Sequence, residues 1–123
     1  MSKPRSRLIT KPDSEFRLVK GFTTAIHFGK QTKHLPGSQG FDPTKSPIII
    51  GIERLQNLVE HKAGTGLWHG DHKEVVNFVE TIGLYKTEPS DPGVLTHWGT
   101  IHYSKTGVHV IPADPNEGKR NQK

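Results

Sequence analysis

Apolar residues in this chain come in short groups, and their spacing changes once, from helical to strand-like. Ile52, Leu55 and Leu58/Val59 recur at three- and four-residue intervals through Ile52-Glu53-Arg54-Leu55-Gln56-Asn57-Leu58-Val59-Glu60-His61-Lys62, a stripe that follows the 3.6 period. Glu53 in the first turn and His61 and Lys62 in the last complement the helix dipole, and Ala63-Gly64 supplies a stop. The spacing predicts a helix over 52–62 whose role is core packing. From Glu74 the period becomes two: Val75, Asn77 and Val79 alternate with Val76, Phe78 and Glu80, and the run continues through Thr81–Tyr85 with a bulge expected at Gly83. Val94–Ser104 and Val108–Pro112 read as two further strands joined around Lys105-Thr106-Gly107, and the polar stretch Thr87–Gly93 reads as a turn. Upstream, Glu15–Gly21 is a short strand or helical turn, and Thr23–Phe28, if extended, puts Ile26 and Phe28 on one face and His27 on the other. Helix first and antiparallel sheet second make an α+β domain.

The last hairpin carries a specific expectation. A period of two places Ile101 and Tyr103 opposite Thr100, His102 and Ser104, and Val108 and Val110 opposite His109. An even-numbered loop puts the apolar sets on one side and gathers His102, Ser104 and His109 on the other; an odd loop separates the two histidines. The even register is preferred because it yields one clean buried face.

Between Phe28 and Pro47 the pattern lapses. Gly29-Lys30-Gln31-Thr32-Lys33-His34-Leu35-Pro36-Gly37 has no amphipathic period, and Pro36 and Gly37 stop any helix or central strand, so the segment reads as a loop. Its donors Lys30, Lys33, Ser38, Lys45 and Ser46 suit a phosphodiester, and His34 among them titrates near neutral pH. Lys105, in the hairpin turn, joins this set of RNA-binding candidates.

Composition narrows the chemistry. The 123 residues suffice for one domain with a modest core. Residues 1–20 are expected to form a basic, partly flexible segment, 21–115 the folded domain, and 116–123 a flexible basic tail. Without cysteine there is neither a disulfide framework nor a thiolate metal site. No apolar run reaches the ~20 residues of a membrane span, and the basic start lacks the apolar core of a secretory signal, so any export is expected to depend on a larger delivery system. Seventeen Lys and Arg against twelve Asp and Glu give a net charge of +5, which favours a polyanionic partner. Part of that excess sits in the first twenty residues, with six basic side chains against two acidic ones. The cluster His69-Gly70-Asp71-His72 offers metal-ligand chemistry, but without a further ligand at zinc-site spacing it reads as a polar connection.

Two imidazoles and a hydroxyl on a sheet surface, facing a Lys/His loop, are parts for cleaving RNA without a metal or other cofactor. A base takes the ribose 2′-hydroxyl proton, an acid protonates the leaving 5′-oxygen, and cations hold the phosphorane charge. For any one histidine a solvated surface role is the commoner explanation; the set of His34, His102 and His109 shifts the balance.

These stretches are also similar to a family. HFGKQTKHLPGSQGF, the Lys45-Ser46 pair, AGTG at 63–66, KEVVNFVETIG at 73–83 and IHYSKTGVHVIPADP at 101–115 resemble the polymorphic toxin type 50 domain, over about three quarters of the chain. The resemblance implies a barnase/EndoU/colicin/RelE-like ribonuclease fold, with N-terminal helices on a four-stranded antiparallel sheet. It implies catalytic positions at Lys33, His34, His102, Ser104 and His109, with Lys30 and His27 beside them. It also implies an RNA substrate, tRNA being one class, a cognate immunity protein, and action in the cytoplasm of a target bacterium. The competing expectation is a non-catalytic basic module that binds RNA or a protein on the same scaffold.

Overall fold

A computed structural model describes residues 16–116. Residues 1–15 of the expected basic N-terminal segment and 117–123 of the expected C-terminal tail lie outside the described residues. The chain runs β1 (Leu18–Val19), β2 (Phe22–Thr23), helical turn α1 (Phe28–Gln31), a 3-10 turn (Thr32–His34) and helix α2 (Ile52–Lys62). It continues with β3 (Leu67–Trp68), β4 (Lys73–Asn77), β5 (Gly83–Tyr85), β6 (Val94–Thr96), β7 (Trp98–His102) and β8 (His109–Pro112). The fold is α+β, and its main sheet is four-stranded and antiparallel, in the order β3-β4-β7-β8.

Helix α2 has the expected bounds and buries Leu55, Leu58 and Val59 against Val76, Ile101, Val108 and Val110 from one face of the sheet. Arg17 caps its C-terminal end, donating from Nε to the Glu60 carbonyl at 3.0 Å and from Nη2 to the Ala63 carbonyl at 2.8 Å. Gln56, also buried on α2, accepts the Ile26 amide at 2.8 Å and donates to the Thr24 carbonyl at 2.9 Å, tying the 24–26 segment to the helix.

Three expectations need correction. The run from Glu74 to Tyr85 is not one bulged strand: β4 ends at Asn77, whose side chain accepts the Val79 amide while Val79 takes φ 73°, and β5 pairs instead with β6 in a separate ribbon. Gly83 fits there because a Cβ would lie 2.4 Å from the Pro47 carbonyl oxygen, where the 47–48 backbone crosses the ribbon. The fourth strand of the main sheet is instead β3, inside the glycine-rich connection, with Trp68 stacked on Tyr103 at 5.1 Å between ring centres. The stretch Val94–Ser104 breaks at His97 into β6 and β7, which belong to different sheets.

Candidate active site

The hairpin β7–β8 has the even register. Ile101 faces Val110, and the next pair outward is His102 with His109, their ring centres 4.8 Å apart. Lys73 on β4 is the partner of His102 on the other side, so Lys73, His102 and His109 form one cross-strand row on the face turned away from α2. Lys73 was not among the candidates; only the strand register identifies it.

His34 extends the row past the sheet edge. The segment expected to be a loop instead coils into α1 and the 3-10 turn before Pro36 ends it. Tertiary contacts rather than helix propensity hold this coil. His27 caps α1, its Nδ1 accepting the Lys30 amide at 3.2 Å. Gln31 is fully buried and pairs with the outer edge of β8 as a strand would, donating to the Val110 carbonyl at 2.9 Å and accepting its amide at 2.7 Å. That clamp brings the next turn beside β8, where the His34 ring stacks on His109 at 6.5 Å.

His34 is 5% exposed, and its Nδ1 lies 2.9 Å from the Ser46 carbonyl oxygen. A carbonyl only accepts, so Nδ1 carries the proton and Nε2 keeps its lone pair. Burial, then the charges of Lys45 and Lys33, pull the His34 pKa below 6.5 against the opposing pull of that hydrogen bond. Burial and the charges of Lys73, His34 and His72 lower His102 as well. His109, in the middle, is pushed down to about 4 by burial, by His102 and His34, and by Lys30 and Lys33. The three imidazoles are therefore neutral at pH 7 and ringed by cations, an arrangement that accepts protons and attracts anions.

The other candidates divide. Lys30 Nζ donates to Ser104 Oγ at 3.1 Å, and Ser104 in turn donates to the Gly107 carbonyl at 2.8 Å, so this pair joins α1 to the hairpin turn. Gly107 at φ 133° is required there, since a Cβ would meet the Ala25 carbonyl oxygen at 2.7 Å. Ser38 and Ser46, expected as phosphate donors, brace the backbone: Ser38 donates to the Thr32 carbonyl at 2.9 Å, and Ser46 Oγ accepts the Lys86 amide at 2.9 Å. Lys45 lies with His34, Ser46, Lys86, Glu88 and Ile111 around a cleft of about 330 Å³. Lys105 lines a different hollow, with Lys20 and Phe22. His69, Asp71 and His72 are exposed, and among the described residues no three His, Asp or Glu side chains group as metal ligands. No helix among the described residues is long and apolar enough to cross a membrane.

No curated protein matches the chain. A family model, Bacterial toxin 50, matches residues 26–112, from Ile26 just before α1 to the end of β8, and so takes in the whole histidine row. The chain belongs to the Bacterial toxin 50 family.

Proposed function

We propose that this toxin domain is a metal-independent endoribonuclease that cuts RNA by internal transesterification. The observation that carries the reading is the row His34–His109–His102, three neutral imidazoles in succession with Lys30, Lys33, Lys45 and Lys73 around them. His34 Nε2, its tautomer held by the Ser46 carbonyl, takes the proton of a ribose 2′-hydroxyl as that oxygen bonds to the adjacent phosphorus. The bond from phosphorus to the 5′-oxygen breaks, and His102 donates its proton to that oxygen. In-line displacement needs base and acid on opposite sides of the phosphorus, which suits the two outer members of the row. His109 between them and the nearby lysines hold the phosphoryl oxygens. Burial and then the Lys73 charge keep His102 neutral in the free domain; a bound phosphate offsets that cation and raises the His102 pKa, so the acid is charged when substrate is in place.

The products are a 2′,3′-cyclic phosphate and a 5′-hydroxyl. Cleavage of total bacterial RNA in excess EDTA, with those end groups, is the expected result; cleavage abolished by EDTA, or 3′-hydroxyl and 5′-phosphate ends, overturns the proposal. The toxin setting further implies a cognate immunity protein and action in the cytoplasm of a target bacterium, reached through a larger delivery system. An immunity protein that neutralises the domain would cover the histidine face, and protection of His102 and His109 in its complex is the measurement that checks this.

A further inference from the structure

Apart from His34, the residues around the cleft beside it take no part in the proton transfers, yet the cleft is built as a ligand site. Its volume of about 330 Å³ lies in the range that holds a small ligand such as one nucleotide. His34 forms one side, Lys45 and Lys86 bring positive charge, Pro89 and Ile111 bring apolar surface, and Glu88 brings an acceptor. Ile111 lies two residues beyond His109 on the same strand and so on the same sheet face, which makes the cleft continuous with the histidine row.

Its walls are fixed before any ligand arrives. The Lys86 amide donates to Ser46 Oγ, and Lys86 Nζ donates to the Pro43 carbonyl at 2.7 Å. The turn carrying Glu88 is closed by Asp91, whose carboxylate accepts the Thr87 amide, the Thr87 hydroxyl and the Gly93 amide, each at 2.9 Å. These bonds hold the turn backbone while the Glu88 carboxylate stays exposed.

We propose that this cleft binds the nucleotide next to the scissile phosphate and selects guanine through the Glu88 carboxylate, an inference that rests on the ribonuclease reading of the histidine row. A carboxylate only accepts hydrogen bonds. Guanine is the base whose pairing edge sets two N–H donors side by side, at N1 and N2, and so matches both carboxylate oxygens. Adenine and cytosine place a ring acceptor beside their amino group, and uracil sets one N–H between two carbonyls, so each leaves repulsion or an unmet acceptor against Glu88. Pro89 and Ile111 supply the apolar contact for the ring face, and Lys45 and Lys86 the contacts for its phosphates.

The test is a titration of the intact protein with guanosine 3′-monophosphate, uridine 3′-monophosphate and inorganic phosphate, followed by the amide NMR signals of Lys86, Glu88 and Ile111. The guanosine nucleotide is expected to bind roughly tenfold or more tightly than the uridine one, the scale of a good two-point base contact, with the gap lost in Glu88→Gln. Equal binding of the two nucleotides, inorganic phosphate binding as tightly as the guanosine nucleotide, or a preference that survives Glu88→Gln would overturn the assignment. The titration needs no cleavage, so a failure of ribonuclease activity and a failure of guanine selection are read separately.

Discussion

Ile101 and Val110 face one another across β7 and β8 with no exposed surface, whereas one residue further along the same strands His102 and His109 stand half-buried beside His34. The two pairs are neighbours in sequence and in register, and the pleat alone sends them to opposite sides. On the α2 side, burial of Ile101, Tyr103, Val108 and Val110 holds the hairpin together. On the other side, burial is partial and acts on proton affinity, pushing His109 down to about 4. The same physical cause stabilises where the side chain is apolar and tunes chemistry where it titrates.

The sharpest way to divide the two faces is to remove one imidazole. His34→Ala and His102→Ala should each lower the rate of RNA cleavage by about 10²–10⁴-fold, the usual contribution of one positioned proton-transfer group. The unfolding free energy of His102→Ala should stay within about 1 kcal/mol of the parent, whereas His34→Ala removes a buried ring and leaves the Ser46 carbonyl without its donor, at about 1–3 kcal/mol. A rate loss matched by unfolding would mean that the row is structural.

Tyr103 tests the opposite face. Its ring is buried between Trp68 and Phe22, and its hydroxyl donates to Glu74 Oε1 at 2.6 Å. Burial and the nearby Glu74 carboxylate raise the Tyr103 pKa, so the phenol remains a donor throughout the working pH range. Glu74 is itself 0% exposed and also accepts the Gly64 and Gly66 amides at 3.0 and 2.6 Å. Tyr103→Ala should cost about 3–5 kcal/mol of stability by urea unfolding. Tyr103→Phe should cost about 1–3 kcal/mol, because it leaves the buried carboxylate one donor short.

Gln31 is where the comparison should fail, since it serves both faces. Gln31→Ala strands a buried amide and a buried carbonyl on β8, at about 1–3 kcal/mol for each orphaned group, and it also releases the turn that carries His34. Loss of both melting temperature and cleavage is expected. Loss of melting temperature with cleavage retained would show that His34 is held by other contacts.

How far these features are legible in the sequence follows from what encodes them. Helix α2 and the hairpin register are encoded by period, because apolar side chains must share one face, and both are readable from Ile52–Lys62 and Ile101–Val110. Strand β3 is two residues within a glycine-rich connection and carries no period; it exists because Leu67 and Trp68 pair with Val75 and Glu74. The coil at 28–34 looks like a loop because its helical form depends on the distant Val110 backbone and not on local propensity. The break at His97 is equally silent, since β-branched and aromatic residues run through it from Val94 to Ile101. Within the site, His34, His102 and His109 are visible as a set, while Lys73 and the cleft around Glu88 emerge only once the register and the 84–93 turn are known. The hydroxyls of Ser38 and Ser46 show the converse: each holds a backbone bond, because short polar side chains in loops satisfy backbone groups as readily as ligands.

The pH dependence of stability gives a smaller effect with a definite sign. His109 has a folded pKa of about 4 against an ordinary 6.5, so between those values the unfolded chain binds more protons than the folded one. Stability contributed by this group is therefore complete above about pH 6.5 and is lost as the pH falls toward 4, and His34 and His102 act in the same direction. Thermal melting between those limits should show the slope, and His109→Gln should flatten it. Smallest of all is the salt effect at the cleft rim: Lys45→Ala should lower the slope of log binding against log salt by about 1, with the binding of any RNA affected alike.

Whether RNA phosphate sits on the histidine row is read by titrating the imidazole nitrogens by NMR with and without an oligoribonucleotide made uncleavable by 2′-O-methylation. The His34, His102 and His109 transitions are all expected to move to higher pH when the oligonucleotide is bound, because its phosphate offsets the surrounding lysine charge. Transitions that stay where they were, with the oligonucleotide demonstrably bound, would place the RNA elsewhere on the domain and contradict phosphate binding at the row.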